Sequence, residues 1–261
     1  MLDLKQIESF YPHSLRAFKR NLLREYLQYK TLEVIFASEF AGRLFFKVGT
    51  AIHMIHANPR FSEDLDFDNL RLTKNEFIRL TVLVKKRLAL EGYDVEVKNS
   101  FQKAHHAYLR ISGLLYDSGL SGHMEEKLMI QIDTEPQAHM YSPDKVVINK
   151  FDVVSRINVV PADTLLSQKI YAILLRRRPM GRDFYDAIFL FGKTKPDFVY
   201  LRQKLGINNT DELVKRLLDR CRPLNFWQLA KDVEQFLFVP GDAKKILLFA
   251  YYVRSLRKEG A

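Results

Sequence analysis

The chain has 261 residues, of which 47% are hydrophobic and 28% charged, and its 41 lysines and arginines stand against 31 acids. That length buries a full core in one large or two modest domains, and the net charge of +10 favours acidic partners, nucleic acid ahead of an anionic membrane. A single cysteine, Cys221, excludes an internal disulfide; no apolar run nears the ~20 residues a bilayer needs and no secretory h-region opens the chain, so a cytoplasmic protein with no membrane role is expected.

Apolar residues from Leu15 to Ile35 recur at three- and four-residue steps, which predicts one or two helices between Ser14 and Glu39. Between them Arg16, Lys19, Arg20, Arg24 and Lys30 read either as a solvated face or as a phosphate-facing stripe. A strand follows at Leu44–Phe46 and breaks into Gly49-Thr50, then a short helix-compatible piece, a Pro59 turn and a second strand carrying Asp64 and Asp66. Residues two apart in a strand share a face, so these carboxylates project together while Leu65 and Phe67 point into a core. Thr73 with Glu76 predicts a capping box for a helix to about Leu90, ended at Gly92. Strands are expected at Tyr93–Val97, Ala107–Ile111, Lys127–Asp133 and Lys145–Ile148. From Pro161 the pattern turns helical, with helices expected to about Leu175, then at Arg182–Phe191, Asp197–Leu205, Asp211–Cys221, Phe226–Leu237 and Asp242–Leu256. The expected architecture is α+β: an α+β domain with N-terminal helices over residues 1–158 and a helical domain over 159–261.

Four sets of residues could carry chemistry. Gly49-Thr50 suits a turn that lets backbone amides and a hydroxyl approach a phosphate, or is a plain turn. Asp64 and Asp66 form a carboxylate pair that a hard divalent cation would neutralise. Asp133 closes an apolar strand, where it either meets solvent or serves as a third acid able to draw a proton from an attacking hydroxyl. Lys169 and the run Arg182-Asp183-Phe184-Tyr185-Asp186 lie in the helical part, where acids in a first turn also suit the helix dipole. Arg176-Arg177-Arg178 just before them is a solvated charge run or a contact for a nucleic-acid backbone.

The string Lys47-Val48-Gly49-Thr50-Ala51, followed by Pro59-Arg60-Phe61-Ser62-Glu63-Asp64-Leu65-Asp66-Phe67, resembles the signature of the AbiEii/AbiGii toxin nucleotidyltransferases, relatives of DNA polymerase β. Lys169 and Arg182–Asp186 resemble that family's later motif, and the likeness spans roughly residues 40–190. Val48 departs from it, because the family has a Gly-Gly pair there; a strand conformation at Val48 would accommodate the change. The resemblance implies a polymerase β-like domain with a mixed sheet followed by an all-helical C-terminal domain. It implies transfer of a nucleoside monophosphate from a nucleoside triphosphate to RNA, with the tRNA 3′ end as expected acceptor and a possible cognate antitoxin as partner. By position, Asp64, Asp66 and Asp133 would bind Mg²⁺, Gly49 and Thr50 would hold the triphosphate, and Lys47 and Lys169 would contact its oxygens. Arg182, Asp183 and Asp186 would complete the site. Ser62 lies between Arg60 and Asp64, so its phosphorylation would add negative charge beside the metal acids. A metal-dependent nuclease and a non-catalytic RNA- or antitoxin-binding module are the alternatives.

Overall fold

In the computed structural model, residues 2–102, 104–137 and 141–257 are described. The chain divides into two compact units, one of Met1–Ala51 with Phe61–Val160 and one of Ile52–Arg60 with Pro161–Ala261.

The first unit opens with α1 (Leu4–Ser9) and α2 (Lys19–Phe36), then β1 (Leu44–Lys47). Here α3 (Val48–His56) begins with no intervening loop; its residues to Ala51 belong to this unit. Next come β2 (Asp64–Asn69), α4 (Lys74–Leu90), β3 (Asp94–Phe101), β4 (His105–Ser112), α5 (Leu114–Asp117), β5 (Leu128–Pro136), β6 (Asp144–Lys150) and β7 (Val153–Val159). The expected capping box is present at α4: the Thr73 hydroxyl accepts from the Glu76 amide and Glu76 accepts from the Thr73 amide. All seven strands form one sheet in the order β3-β4-β5-β2-β1-β7-β6. It is mixed: β1 runs antiparallel to β2 and parallel to β7, and β2 runs parallel to β5. This is the α+β architecture expected, with α1, α5 and β7 added.

The sheet has two unlike faces. Leu65, Phe67, Phe46, Ile130, Ile132, Ala107 and Leu109 are buried on one of them, where Phe36 of α2 packs on Phe67 with ring centroids 6.2 Å apart. Of the basic residues read as a solvated face or a phosphate-facing stripe, Lys19 and Arg20 are about half exposed and paired to Glu8 and Glu126, Arg24 pairs with Glu63, the buried Lys30 lies 3.0 Å from Glu91, and Arg16, ahead of α2, donates to the Tyr11 carbonyl.

Val48 is not a strand residue. It opens α3 with φ +62°, a left-handed conformation that crowds a β-branched side chain. The glycine that the family resemblance expects here would adopt it without strain. Val48→Gly is therefore expected to raise stability by about 1 kcal/mol, read as a melting temperature about 2–4 °C higher. An unchanged or lower value would show that the position is not strained.

The second unit holds the remainder of α3, then α6 (Ala162–Leu175), α7 (Gly181–Phe191), α8 (Phe198–Leu205), α9 (Thr210–Cys221), α10 (Phe226–Glu234) and α11 (Phe249–Ser255). The last expected helix is split: Pro240–Leu248 is a 3-10 helix and only Phe249–Ser255 is α-helical. The segment Ile52–Arg60 joins this unit because it bonds within it. Phe238 donates its amide to the Pro59 carbonyl at 3.1 Å, Arg60 bridges Leu237, and the His53 ring meets the edge of Phe238. Helices α7 and α10 approach closely at Gly181, where an added Cβ would lie 1.9 Å from the Leu229 carbonyl oxygen. Gly181→Ala is expected to cost about 3 kcal/mol by forcing α7 and α10 apart, seen as a lower urea midpoint; wild-type stability would refute the close approach.

Candidate active site

Strand register builds the site in the first unit. Lys47 pairs with Asp66, Asp66 with Asp133, and Asp133 with His106, so four strands present these side chains in one row. Directly opposed residues share a face, and this is the face opposite Leu65 and Phe67. Asp64, beside Gln131, lies on the same face one step away, and Asp68, beside Glu135, one step the other way. Five carboxylates thus line one side of two adjacent strands.

Asp133 does not end its strand. β5 continues to Pro136 because β2 pairs with it along its whole second half. The carboxylate is held in place, accepting from Gln131 Nε2 at 3.0 and 2.8 Å and lying 2.7 Å from His106 Nδ1. His106 carried no signal in the sequence, since only the β4–β5 register sets it beside Asp133, whereas Gln131 shares Asp133's face by the two-residue alternation of its own strand.

Lys47 is buried and reaches Asp68 at 2.8 Å and Glu135 at 3.0 Å. Burial alone would lower its pKa, but the Asp68 carboxylate, then Glu135 and more weakly Asp66, raise it above the ordinary lysine value. Asp68, itself almost fully buried, is opposed by its own desolvation yet held below the usual carboxylate range by Lys47, with Tyr141 and Gln137 donating to it. Lys47 is thus a permanent internal cation facing the acids, not a group extended toward solvent. Asp68 was legible in the sequence, because it continues the two-residue alternation from Asp64 and Asp66.

Gly49 and Thr50 sit in the first turn of α3, both buried. The Thr50 hydroxyl donates to the Asp64 carbonyl oxygen, so it ties the start of α3 to the start of β2. Ser62 is half-buried in the approach to β2, where Gln28 Nε2 donates to its carbonyl at 3.1 Å and to that of Glu63 at 2.9 Å.

Could these residues hold a divalent cation? The donors are hard oxygens on one face, which suits magnesium or a similar ion. Among the described residues, no group of three or more His, Cys, Asp or Glu side chains stands ready to enclose a metal. Magnesium usually takes one or two carboxylates and fills its remaining positions with water and substrate phosphates. The Asp64–Asp66 pair fits that requirement, while Asp133 is engaged with Gln131 and His106.

The residues of the later motif lie in the second unit and face one another. Asp186 is fully buried and accepts from Arg60 through Nε at 2.6 Å and Nη2 at 2.7 Å, and from Asn58 Nδ2 at 2.8 Å. Lys169, 3% exposed, places its ammonium 2.8 Å from Asp186 and 3.0 Å from Asp183. Arg176 lies 3.2 Å from the other Asp183 oxygen. Burial would raise the Asp186 pKa, but Arg60 and then Lys169 outweigh it and hold it below the usual range. Arg182 is half-buried at the start of α7. Arg60 and Asn58 are members of this network that sequence reasoning missed: both are polar, and nothing in their spacing marks them as buried partners of a residue 126 or 128 positions away.

No helix among the described residues is long and apolar enough to cross a membrane. Comparison with known proteins agrees with the fold. A structure of JHP933 from Helicobacter pylori aligns at TM-score 0.55 with 18% identity, over 92% of this chain and 94% of that one. The MenT4 nucleotidyltransferase toxin of Mycobacterium tuberculosis aligns at TM-score 0.56 with 16% identity, over 85% of this chain and 72% of that one. A search of curated protein sequences finds no match. The model of the nucleotidyl transferase AbiEii toxin family, of type IV toxin–antitoxin systems, matches residues 30–233. With most of its length covered by that model, the chain belongs to the AbiEii nucleotidyltransferase toxin family.

Proposed function

We propose that this nucleotidyltransferase moves a nucleoside monophosphate from a nucleoside triphosphate to the 3′ end of an RNA, with tRNA as the acceptor, magnesium as the divalent ion and a cognate antitoxin as its restraint. The observation that supports this best is the row of Asp64, Asp66 and Asp133 on one sheet face, next to the first turn of α3. Asp64 and Asp66 would hold the magnesium, which when bound would neutralise triphosphate charge and polarise a phosphoryl oxygen. The first-turn amides at Gly49 and Thr50 would bind phosphate oxygens, because helix N-termini offer unpaired N–H groups and positive partial charge. Asp133, oriented by Gln131 and His106, would take the proton of the attacking RNA hydroxyl. The hydroxyl oxygen forms the new bond to the α-phosphorus as the bond to pyrophosphate breaks. Lys47 offsets the charge of Asp66 and Asp68 through its burial among them. We assign Lys169, Asp183 and Asp186 to the brace joining α6, α7 and Arg60, and Arg182 to contact with nucleotide or RNA.

Incubating the protein with total RNA, magnesium and each labelled triphosphate in turn tests this reading. Label joining RNA with release of pyrophosphate is expected. RNA left unlabelled by every triphosphate would defeat the acceptor assignment, and RNA shortened without triphosphate consumption would point to a nuclease instead.

A further inference from the structure

The second unit carries a surface feature that the transfer chemistry does not use. Trp227, the sole tryptophan of the chain, is 70% exposed at the start of α10. An indole so exposed presents a flat aromatic face to solvent, on which a nucleobase can stack. It lines a groove of about 370 Å³ between α10 and the 3-10 helix Pro240–Leu248, together with Gln228, Lys231, Glu234, Pro240 and Lys244. The groove therefore combines a flat aromatic ring with two exposed lysines against one acid.

A second basic feature reaches the same helix. Arg176, Arg177 and Arg178 are exposed in the loop between α6 and α7. That loop ends at Gly181, whose amide donates to Asp232 of α10 at 3.2 Å and whose Cα is pressed against Leu229. Three residues of chain span at most about 10 Å, so Arg178 stays close to α10. Arg220 of α9 stiffens the loop by donating to the carbonyls of Ile173 at 2.9 Å and Arg176 at 2.8 Å.

We propose that the α10 groove binds single-stranded RNA, with a base stacked on Trp227 and the flanking phosphates drawn by Lys231, Lys244 and the Arg176–Arg178 loop. An aromatic platform beside positive charge is how single strands are held without sequence readout, because every base has a π-face and every nucleotide a phosphate. Charge separates this from a protein docking surface: Lys231, Lys244, Arg177 and Arg178 stand exposed against Glu234, while Arg176 is ion-paired to Asp183 and Asp232 accepts from the Gly181 amide. The proposal rests on the RNA-acceptor reading and adds where an unpaired stretch of that acceptor is held.

Because Trp227 is the sole indole, its fluorescence reports this groove alone. The full-length protein is titrated with an unstructured twelve-nucleotide RNA, without triphosphate or magnesium, and binding is followed in parallel by anisotropy of a labelled copy. Saturable quenching is expected, with affinity falling steeply as salt rises. Trp227→Ala should weaken binding about tenfold and Trp227→Phe by less, since phenylalanine still stacks. Lys231→Glu combined with Lys244→Glu should flatten the salt dependence. RNA that saturates the anisotropy while the indole stays silent would overturn the groove and leave the RNA-acceptor reading intact. Quenching without any labelling of RNA by triphosphate would overturn that reading and leave the groove standing. A Trp227 indifferent to RNA but quenched by an antitoxin protein would make the groove a protein interface and overturn the proposal.

Discussion

Asp66→Ala is expected to abolish nucleotide transfer, by about a thousandfold or more, while the protein stays folded. Asp66 sits at the centre of the row, paired with Lys47 on one side and Asp133 on the other. Removing it would take away one of the two carboxylates assigned to the metal. Losing a single preorganised charge-stabilising group costs about a hundred- to a thousandfold in comparable sites, and a metal held by Asp64 alone should bind more weakly as well. The fold has little reason to follow. Asp66 is half-exposed and shares its face with four other carboxylates, so its removal lessens like-charge repulsion. Circular dichroism and the melting temperature should therefore match the wild type, while labelled nucleotide no longer reaches RNA. Asp66→Ala that transfers at the wild-type rate would remove this face of the sheet from the chemistry altogether.

Asp186→Ala should have the opposite character, lowering the stability of the helical unit by about 3–5 kcal/mol. The cost does not come from losing an ion pair as such, since a buried pair contributes little net stability. It comes from leaving Arg60, 2% exposed, and Lys169, 3% exposed, in the interior with Asp183 as the one remaining acid of the network. The measurement is a urea titration followed by helical circular dichroism, and a midpoint equal to wild type would sink the idea. Replacing Arg60 and Asp186 together with methionine and leucine should cost less than the two alanine variants summed, because no charge is then stranded. Acid should act through the same residues. The pKa values of Asp186 and Asp68 are both depressed in the folded protein. Their contribution is thus present above the ordinary carboxylate range and is lost as pH falls through their lowered values. The Asp186→Ala protein should show a shallower loss of stability over that acid window.

Local periodicity and cap chemistry make much of this chain legible from its residues alone. The two-residue spacing of Asp64 and Asp66 places both on one face with Leu65 and Phe67 opposed, since a strand admits only that arrangement. Thr73 and Glu76 announce α4, because both halves of a capping box lie within four residues. The succession of strands followed by helices indicates the α+β class, and the paired motifs indicate the family. What stayed open depended on partners far along the chain. His106 became a holder of Asp133 through the register of β4 and β5, which no local pattern encodes, whereas Gln131, two residues before Asp133 on the same strand, shares its face by alternation alone. Lys47 and Thr50 were expected to meet a triphosphate; packing also sets one against Asp68 and the other on the Asp64 carbonyl, partners that lie beyond any local pattern. Lys169 and Asp186 read as site residues by motif; what only the structure adds is their burial in one ion-paired group with Arg60, because a low-dielectric interior holds charges only in matched groups. Sequence by itself determined which residues are acids on a strand and bases on a helix; tertiary structure decided which of those charges neutralise one another inside and which stand together on the open face of the sheet, because burial tolerates a charge only beside its opposite.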